Sequence, residues 1–388
     1  MNVTVSAIYR KESNNVSAKV SVIMGVYNTN KDYLTPAIES ILNQTYQNLE
    51  IIIVNDCSDE WCTDILREYE SKDSRIILVN NEVNCDITKT LNIGLSHCTG
   101  KYIARMDSDD ISLPTRIERQ VDYLENHKDI NVLSCCAAIY CEGDTCYKGN
   151  RYHIDSKRIT GDFSGVYRKF DQDRIRIKLS LGNIEFTHPT VMYRRSFLED
   201  NAIRYDESIP KAQDYAMWST VQEYRCMASL QEALFIYRSN EQAASAIASD
   251  EQVRCANITK FKNLCKLIEK PTEDEKKAYF SISEFDMPNE TSCLVELLRK
   301  LVAQNREKCI YPEKMYRQEL YFRIFRKCFF SHEWELSKKV LLNRDFIKNV
   351  VSIIPKMLIS YLLDLVYKKR VVHGMRKKVI GVISDLKV

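Results

Sequence analysis

"YIARMDSDDISLP", Tyr102–Pro114, is the stretch on which the fold turns. Its first half is apolar and reads as a strand leaving a core. Its second half crowds three carboxylates, Asp107, Asp109 and Asp110, into four residues. Such crowding is tolerable when a cation offsets the charge. In an extended segment residues i and i+2 share a side, so Asp107 and Asp109 are expected on one face, with Asp110 turned away. Two carboxylates on one face suit Mn²⁺ or Mg²⁺, with substrate phosphates completing the shell. The plainer role for these aspartates is turn formation and capping before Pro114, which suits the first turn of a following helix. Asp110 fits either role.

Outward from this stretch, residues 19–140 alternate between two periodicities. Val20–Val26, Leu49–Val54, Arg75–Val79 and Lys101–Met106 are short apolar runs. Consecutive apolar residues predict strands buried on both faces, as in a parallel sheet covered by helices. Between them, Leu34, Ala37, Ile38 and Ile41 recur at helical spacing, and helices are expected near Asp59–Ser71 and Thr88–Cys98. A further helix carries Ile117, Val121 and Leu124, with Arg116 and Arg119 read as solvated. Ile130–Tyr140 returns as a strand. This βα alternation with short connections predicts an α/β sheet.

Residues 141–175 are polar and read as a long loop or hairpin excursion. A strand is expected at Thr190–Ser196 and a helix around Asp214–Tyr224. After Ser249 helical stretches dominate: Glu251–Glu269, Thr291–Arg306 and Glu313–Phe330. The expected organisation is a flexible segment over 1–18 and an α/β domain over 19–249. The first half of that domain, 19–140, would bind the donor, and 141–249 the acceptor. A helical region follows over 250–388, with a basic amphipathic tail at 345–378. In that tail Ile347, Val350, Val351, Ile354, Leu358, Tyr361 and Leu365 follow helical spacing, and Lys368, Lys369 and Arg370 come next. A helix packed on its own domain and one lying on an anionic membrane both fit the pattern.

Bulk properties narrow the classes. Of 388 residues, 45% are hydrophobic and 28% charged, as in soluble globular proteins. A net charge of +3 is too small to imply nucleic acid. The 14 cysteines form no CxxC pair, so free thiols in a reducing cytoplasm are expected. Residues 1–18 lack the apolar core of a signal peptide, and no uninterrupted apolar run is long enough to predict a membrane span.

In open parallel sheets ligands bind beyond the carboxyl ends of the strands. Those ends carry Tyr27 and Asn28, then Asp56, Ser58 and Asp59, then Asp107, Asp109 and Asp110. There is no G-x-G-x-x-G and no P-loop, so a glycine nest is not what holds phosphate. A divalent metal is the alternative holder.

"SVIMGVYN", "IIIVNDCSDE", "TLNIGLSHCTGKYIARMDSDDISLPTRIERQ", "HPTVMYRRS", "AQDYAMW" and "YRSNEQAAS" occur in this order. Together they resemble the family 2 glycosyltransferases of the GT-A fold, over about residues 20–245. The resemblance implies that Asp56 bonds a uracil ring and that Tyr27 and Asn28 lie near the nucleotide. It implies that Asp107 and Asp109 form the DxD motif, with Asp109 on the metal and Asp107 toward the ribose and sugar. Asp214 matches the catalytic base and Arg238 an arginine near the donor diphosphate. His188 matches a recurrent histidine that either lines the site or supports it. Two positions depart from the pattern: Gln213 stands where Glu is frequent, and Asn240 where a histidine that helps hold metal or pyrophosphate is frequent.

The function expected is inverting, metal-dependent transfer from a UDP-sugar to a saccharide acceptor. The basic tail points to a lipid-linked acceptor, such as a polyprenyl diphosphate, in O-antigen or capsule assembly at the inner face of the cytoplasmic membrane. Two alternatives are a non-catalytic protein binding nucleotide-sugar or a partner, and a sugar nucleotidyltransferase. The second would want a glycine-rich basic loop after the first strand, and "VYNTNKDYL" has neither glycine nor arginine.

Overall fold

The computed structural model describes residues 17–141, 159–166, 170–184, 186–239, 250–282, 291–330 and 334–351, with isolated helical positions between 359 and 379. The first elements alternate as the pattern predicts. They are β1 (Val20–Val26), α1 (Lys31–Leu42), β2 (Leu49–Asn55), α2 (Glu60–Lys72), β3 (Ile76–Asn80), α3 (Asp86–His97) and β4 (Tyr102–Asp107). β1 pairs in parallel with β2 and β4, and β3 lies outside β2. Alternation along each strand divides the core between two faces. Val22, Met24, Ile51 and Ile53 pack with Leu34, Ile38 and Ile41 of α1 and Leu66 of α2. Ile23, Ile52 and Val54 pack on the other side with Leu91 and Leu95 of α3.

Beyond β4 the sheet becomes mixed. β5 (Ile111–Ser112), α4 (Arg116–Asn126), β6 (Val132–Cys141), β7 (Ile159–Ser164) and α5 (Gln172–Leu181) come first. A 3-10 turn at His188–Thr190, β8 (Met192–Arg194), α6 (Arg195–Asp200) and α7 (Gln213–Val221) follow. Then come a 3-10 turn at Gln222–Tyr224 and β9 (Met227–Ser239). The strand order is β3-β2-β1-β4-β8-β6-β9-β5, with β7 on β6. β8 is antiparallel to both β4 and β6, while β6 and β9 pair in parallel.

Sequence reading missed β5 and β9. β5 is two residues long, too short for a periodic signal. β9 carries Gln231 and Glu232 in its middle, opposite register shifts around Cys136, so its alternation is broken. Pro114 lies before Thr115, the cap of α4, and not in its first turn. Arg116 corrects an expectation more sharply. It is fully buried rather than solvated, donating to Arg105 O at 2.7 Å and Gln120 Oε1 at 3.1 Å, over the Phe235 ring. Arg119 is exposed as expected and pairs with Glu232 at 2.6 Å.

The C-terminal part is helical. It comprises α8 (Asp250–Leu267), α9 (Glu273–Ser281), α10 (Thr291–Lys308), α11 (Glu313–Phe330), α12 (Trp334–Leu341) and α13 (Arg344–Val351). α9 opens on a capping box in which Thr272 and Glu275 satisfy each other's amides. Leu264, Leu298, Leu301, Tyr316 and Leu320 share a core with Ile177 and Leu181 of α5. Of the polar excursion, 142–158 lies outside the described residues. So does most of the tail expected at 345–378, and so does Asn240. Among the described residues no helix is long and apolar enough to cross a membrane. A mostly parallel sheet flanked by helices, followed by a helical region, is the GT-A class expected.

Candidate active site

β4 delivers Asp107 to the carboxyl edge of the sheet. The chain then turns, rather than continuing extended, before Ile111 pairs with Ile236 of β9. That turn breaks the two-residue alternation and corrects the expected geometry. Asp110 is not directed away: carboxylate oxygens of Asp107, Asp109 and Asp110 all lie within 4.8 Å of one another.

The three carboxylates differ in their ties. Asp107 forms an ion pair with the buried Arg105. Asp110 is 1% exposed, and its Oδ1 accepts the Arg238 amide at 2.8 Å. Its buried Oδ2 has no hydrogen-bond partner among the described residues. Burial, then repulsion from Asp107, pushes the Asp109 carboxyl up. Burial, then Asp109 and Asp107, pushes Asp110 well above the usual range. This donor set fits a hard divalent cation. It presents anionic oxygens close together, one of them buried and unbonded, at a cost that a cation relieves.

Arg238 sits beside this turn. It is 4% exposed, not a surface ion-pair residue, and its Nε donates to Asp109 O at 2.6 Å. Its guanidinium lies over the Tyr33 ring at 4.5 Å, so α1, β9 and the carboxylate turn meet at this side chain.

On the nucleotide side, β1 and β2 end in sharp exits. Asn28 and Cys57 have φ of 47° and 61°, a left-handed backbone that costs non-glycine residues energy and often marks functional edges. The two exits are laced together. The Asn28 amide donates to Ser58 Oγ at 3.0 Å, and Asn28 Oδ1 accepts the Asp59 amide at 2.8 Å. Asp56 is buried, and its Oδ1 accepts from Asn81 Nδ2 at 2.7 Å and from the Cys85 amide at 2.8 Å. Both bonds use one oxygen and hold the carboxylate in a fixed orientation. Tyr27 is 55% exposed, an aromatic face open at the strand end.

Asp214 lies in the first turn of α7 rather than at its cap, which is Ala212 with φ of 55°. Its Oδ1 accepts the Tyr215 amide at 2.7 Å, and its Oδ2 accepts from Asn183 at 3.2 Å. Burial raises its carboxyl, and those donors with Arg105 only partly offset the rise. A carboxylate with raised proton affinity, held by polar ties, is suited to accept a proton.

His188 is placed in the supporting wall. It is 9% exposed, shares a hydrogen bond with Tyr205 OH at 2.7 Å and meets Trp218 edge-on at 5.8 Å. Burial, then Arg105, pushes its pKa well down, so the ring is neutral. Asn183, Tyr33 and Arg105 were missed from sequence. Asn183 and Tyr33 carry no pattern, but Arg105 had a signal, a cation inside an otherwise apolar strand.

The family model described as glycosyl transferase family 2 matches residues 21–201. An uncharacterized glycosyltransferase of Haemophilus influenzae is 34% identical over 247 residues, covering 63% of this chain and 73% of that protein. Another, of Methanocaldococcus jannaschii, is 33% identical over 226 residues, covering 56% of this chain and 70% of its own. An Escherichia coli protein named UDP-Glc:alpha-D-GlcNAc-diphosphoundecaprenol beta-1,3-glucosyltransferase WfaP is 28% identical over 242 residues, covering 62% of this chain and 85% of that one. The matched span runs from the second residue of β1 through β4, the carboxylate turn and β8. On this sequence likeness and this sheet, the chain is a glycosyltransferase and belongs to glycosyl transferase family 2.

Proposed function

We propose that this protein transfers a hexosyl or N-acetylhexosaminyl group, with inversion, from a UDP-sugar to a saccharide carried on a polyprenyl diphosphate. The carboxylate turn of Asp107, Asp109 and Asp110, fastened to Arg238 at the sheet edge, carries the reading. It is a built place for a cation and a diphosphate in a chain that lacks a phosphate-binding glycine loop. Asp56 receives the uracil ring in this reading, and Tyr27 and Asn28 flank the nucleoside. Mn²⁺ or Mg²⁺, held by Asp109 and Asp107, supplies charge neutralisation for the leaving diphosphate when bound.

Asp214 takes the proton from the acceptor hydroxyl. The acceptor oxygen forms a bond to the anomeric carbon from the face opposite UDP, as the bond to the diphosphate oxygen breaks. Arg238 adds fixed positive charge on the leaving side. No covalent enzyme intermediate is needed for inversion.

The E. coli relative's name supports both the donor and the acceptor class, since it specifies UDP-Glc and a GlcNAc-diphosphoundecaprenol. Work on such an acceptor would place the enzyme in the cytoplasm, peripheral on the inner face of the membrane. The test is a panel of UDP-Glc, UDP-Gal, UDP-GlcNAc and UDP-GalNAc, with a GDP-sugar and a dTDP-sugar beside them, against a lipid-diphosphate sugar, with and without Mn²⁺. One donor is expected to give metal-dependent product. Turnover confined to a GDP- or dTDP-sugar would contradict the assignment.

A further inference from the structure

A cleft of about 330 Å³ opens between α8, α7 and the loop that precedes α7. Small-molecule sites begin at roughly this size. The cleft lies on the side of α7 turned away from Asp214. Ala216 and Thr220, which line it, stand about 200° and 240° round the helix from that carboxylate, at ~100° per residue. None of its lining residues has a part in the transfer reaction. One of them is unsatisfied. Thr259 of α8 is 2% exposed, and its hydroxyl has no hydrogen-bond partner among the described residues. A threonine inside a helix ordinarily bonds the carbonyl four residues back, and a buried hydroxyl left without a partner is costly unless a ligand meets it.

Two ion pairs form the walls. Lys262 donates to Asp206 at 2.8 Å, and Lys266 donates to Glu223. Each ammonium has three N–H donors and spends one on its carboxylate, so each wall sets spare donors beside an acceptor. That combination suits a hydroxyl, which donates and accepts at once. It suits a free anion less, because the anion would stand against both carboxylates. Arg204, exposed at the rim, adds a further donor fork. The buried Ile209 and Met217 give the cleft an apolar floor. At its mouth Tyr224 is 46% exposed, with its ring held edge-on to Phe197 at 5.2 Å. A pyranose ring has the matching parts: hydroxyls for the walls, and a face of C–H bonds for the negative face of an aromatic ring.

We propose that this cleft binds a saccharide unit other than the two joined in transfer. Thr259 and the Lys262–Asp206 and Lys266–Glu223 pairs hold its hydroxyls, and Tyr224 covers its C–H face. A glycosyltransferase meets such units on an acceptor or on its elongated product. The site stands whatever the donor sugar is, and whether or not Asp214 is the base.

The experiment is an NMR titration of the full-length protein, labelled at its methionine methyls. The probes are the methyl glycosides of glucose, galactose, N-acetylglucosamine and N-acetylgalactosamine, with inorganic phosphate as the anionic arm. At least one glycoside is expected to shift the Met217 methyl saturably. Tyr224→Ala and Thr259→Val are each expected to weaken that binding ~5-fold or more. A shift that keeps its wild-type affinity in both variants comes from the acceptor side of α7 and overturns the inference. A Met217 response to phosphate alone, or to none of the probes, overturns it as well. If Tyr224→Ala does not fold, Thr259→Val, which keeps the side chain's shape, carries the comparison by itself. Transfer by the folded variants to a monosaccharide acceptor should stay within about twofold of wild type. A loss of that transfer in step with glycoside affinity would make the cleft part of the acceptor site, and the inference of a separate site would fail.

Discussion

The main-chain amide of Arg238 donates to Asp110 Oδ1 at 2.8 Å, although 128 residues separate the two in sequence. This bond fastens the end of β9 to the carboxylate turn, and the Arg238 Nε bond to Asp109 O closes the same junction. Asp110 therefore spends one oxygen on the fold and leaves the other beside its fellow carboxylates. Asp110→Ala removes the acceptor from a buried amide and is expected to cost ~1–3 kcal/mol. Asp110→Asn keeps a carbonyl oxygen there and is expected to melt close to wild type. Thermal melts of the two variants check this; indistinguishable melting points would show that the junction does not depend on that acceptor.

Asp214 has a sign that can be worked out. Burial places its folded pKa above that of an ordinary aspartate, so the folded state favours its protonated form. As a base it must be ionised. The acid limb of kcat/KM should therefore fall at a higher pH than an unperturbed aspartate allows, with activity lost as pH drops through it. Asp214→Asn removes the proton acceptor and should lower transfer by ~10²–10⁴-fold while leaving UDP affinity within about twofold. Because the ionised form is the one that burial penalises, the Asn variant should not melt lower than wild type at neutral pH. A large drop in its melting temperature would assign Asp214 to the fold.

What was legible in the sequence follows from periodicity and charge. β1 through β4 announced themselves because both faces are buried, which forces continuous apolar runs. The aspartates of the site were legible because carboxylates at a strand end have few structural uses. β9 was illegible because its polar middle is paid for by pairing with β6 and by a bulge, a tertiary effect without a local signal. The face shared by Asp110 was misread for a similar reason: alternation holds in a strand, and the chain leaves strand geometry at Ser108. Arg116 was read as solvated because its acceptors, Arg105 O and Gln120, are brought to it only by the packed fold.

Glu50 shows a stability device that no motif marked. It sits at the opposite end of the sheet from the site and ties β1, β2 and the α3–β4 connection together. It accepts from the Thr99 amide at 2.7 Å, Thr99 Oγ1 at 2.8 Å and the Gly100 amide at 3.1 Å, and it also meets Ser21 and Lys19. Gly100 suits this corner, since a Cβ there would stand 2.7 Å from Ser21 N. Burial alone would raise the Glu50 carboxyl, but bonds from Lys19, Ser21 and Thr99 hold it down to about 2. Its stabilisation, ~3 kcal/mol at most, is present above its ordinary value of 4.5 and lost as pH falls toward about 2. Urea unfolding of wild type and Glu50→Gln should differ at pH 6 and converge toward pH 3. A gap that stays constant over that range contradicts the linkage.

If the enzyme works at an anionic membrane, the exposed apolar residues of the tail are where contact belongs. Ile359, Leu362 and Val366 are 58%, 51% and 62% exposed at helical spacing. Replacing all three with Ser should release the protein from vesicles containing anionic lipid without changing turnover on a soluble acceptor analogue. Unchanged flotation with the vesicles would remove the membrane from the account.

If the Asp107–Asp109–Asp110 turn handles a donor diphosphate with a divalent cation, turnover depends on that cation and on Asp109. The most direct measurement is donor turnover after chelation and again after Mn²⁺ is restored, in wild type and in Asp109→Asn. Chelation is expected to silence the wild type and Mn²⁺ to restore it, while Asp109→Asn stays at least ~10²-fold slower at any Mn²⁺ concentration. Undiminished turnover by chelated wild type, or full Mn²⁺-stimulated turnover by Asp109→Asn, would contradict it.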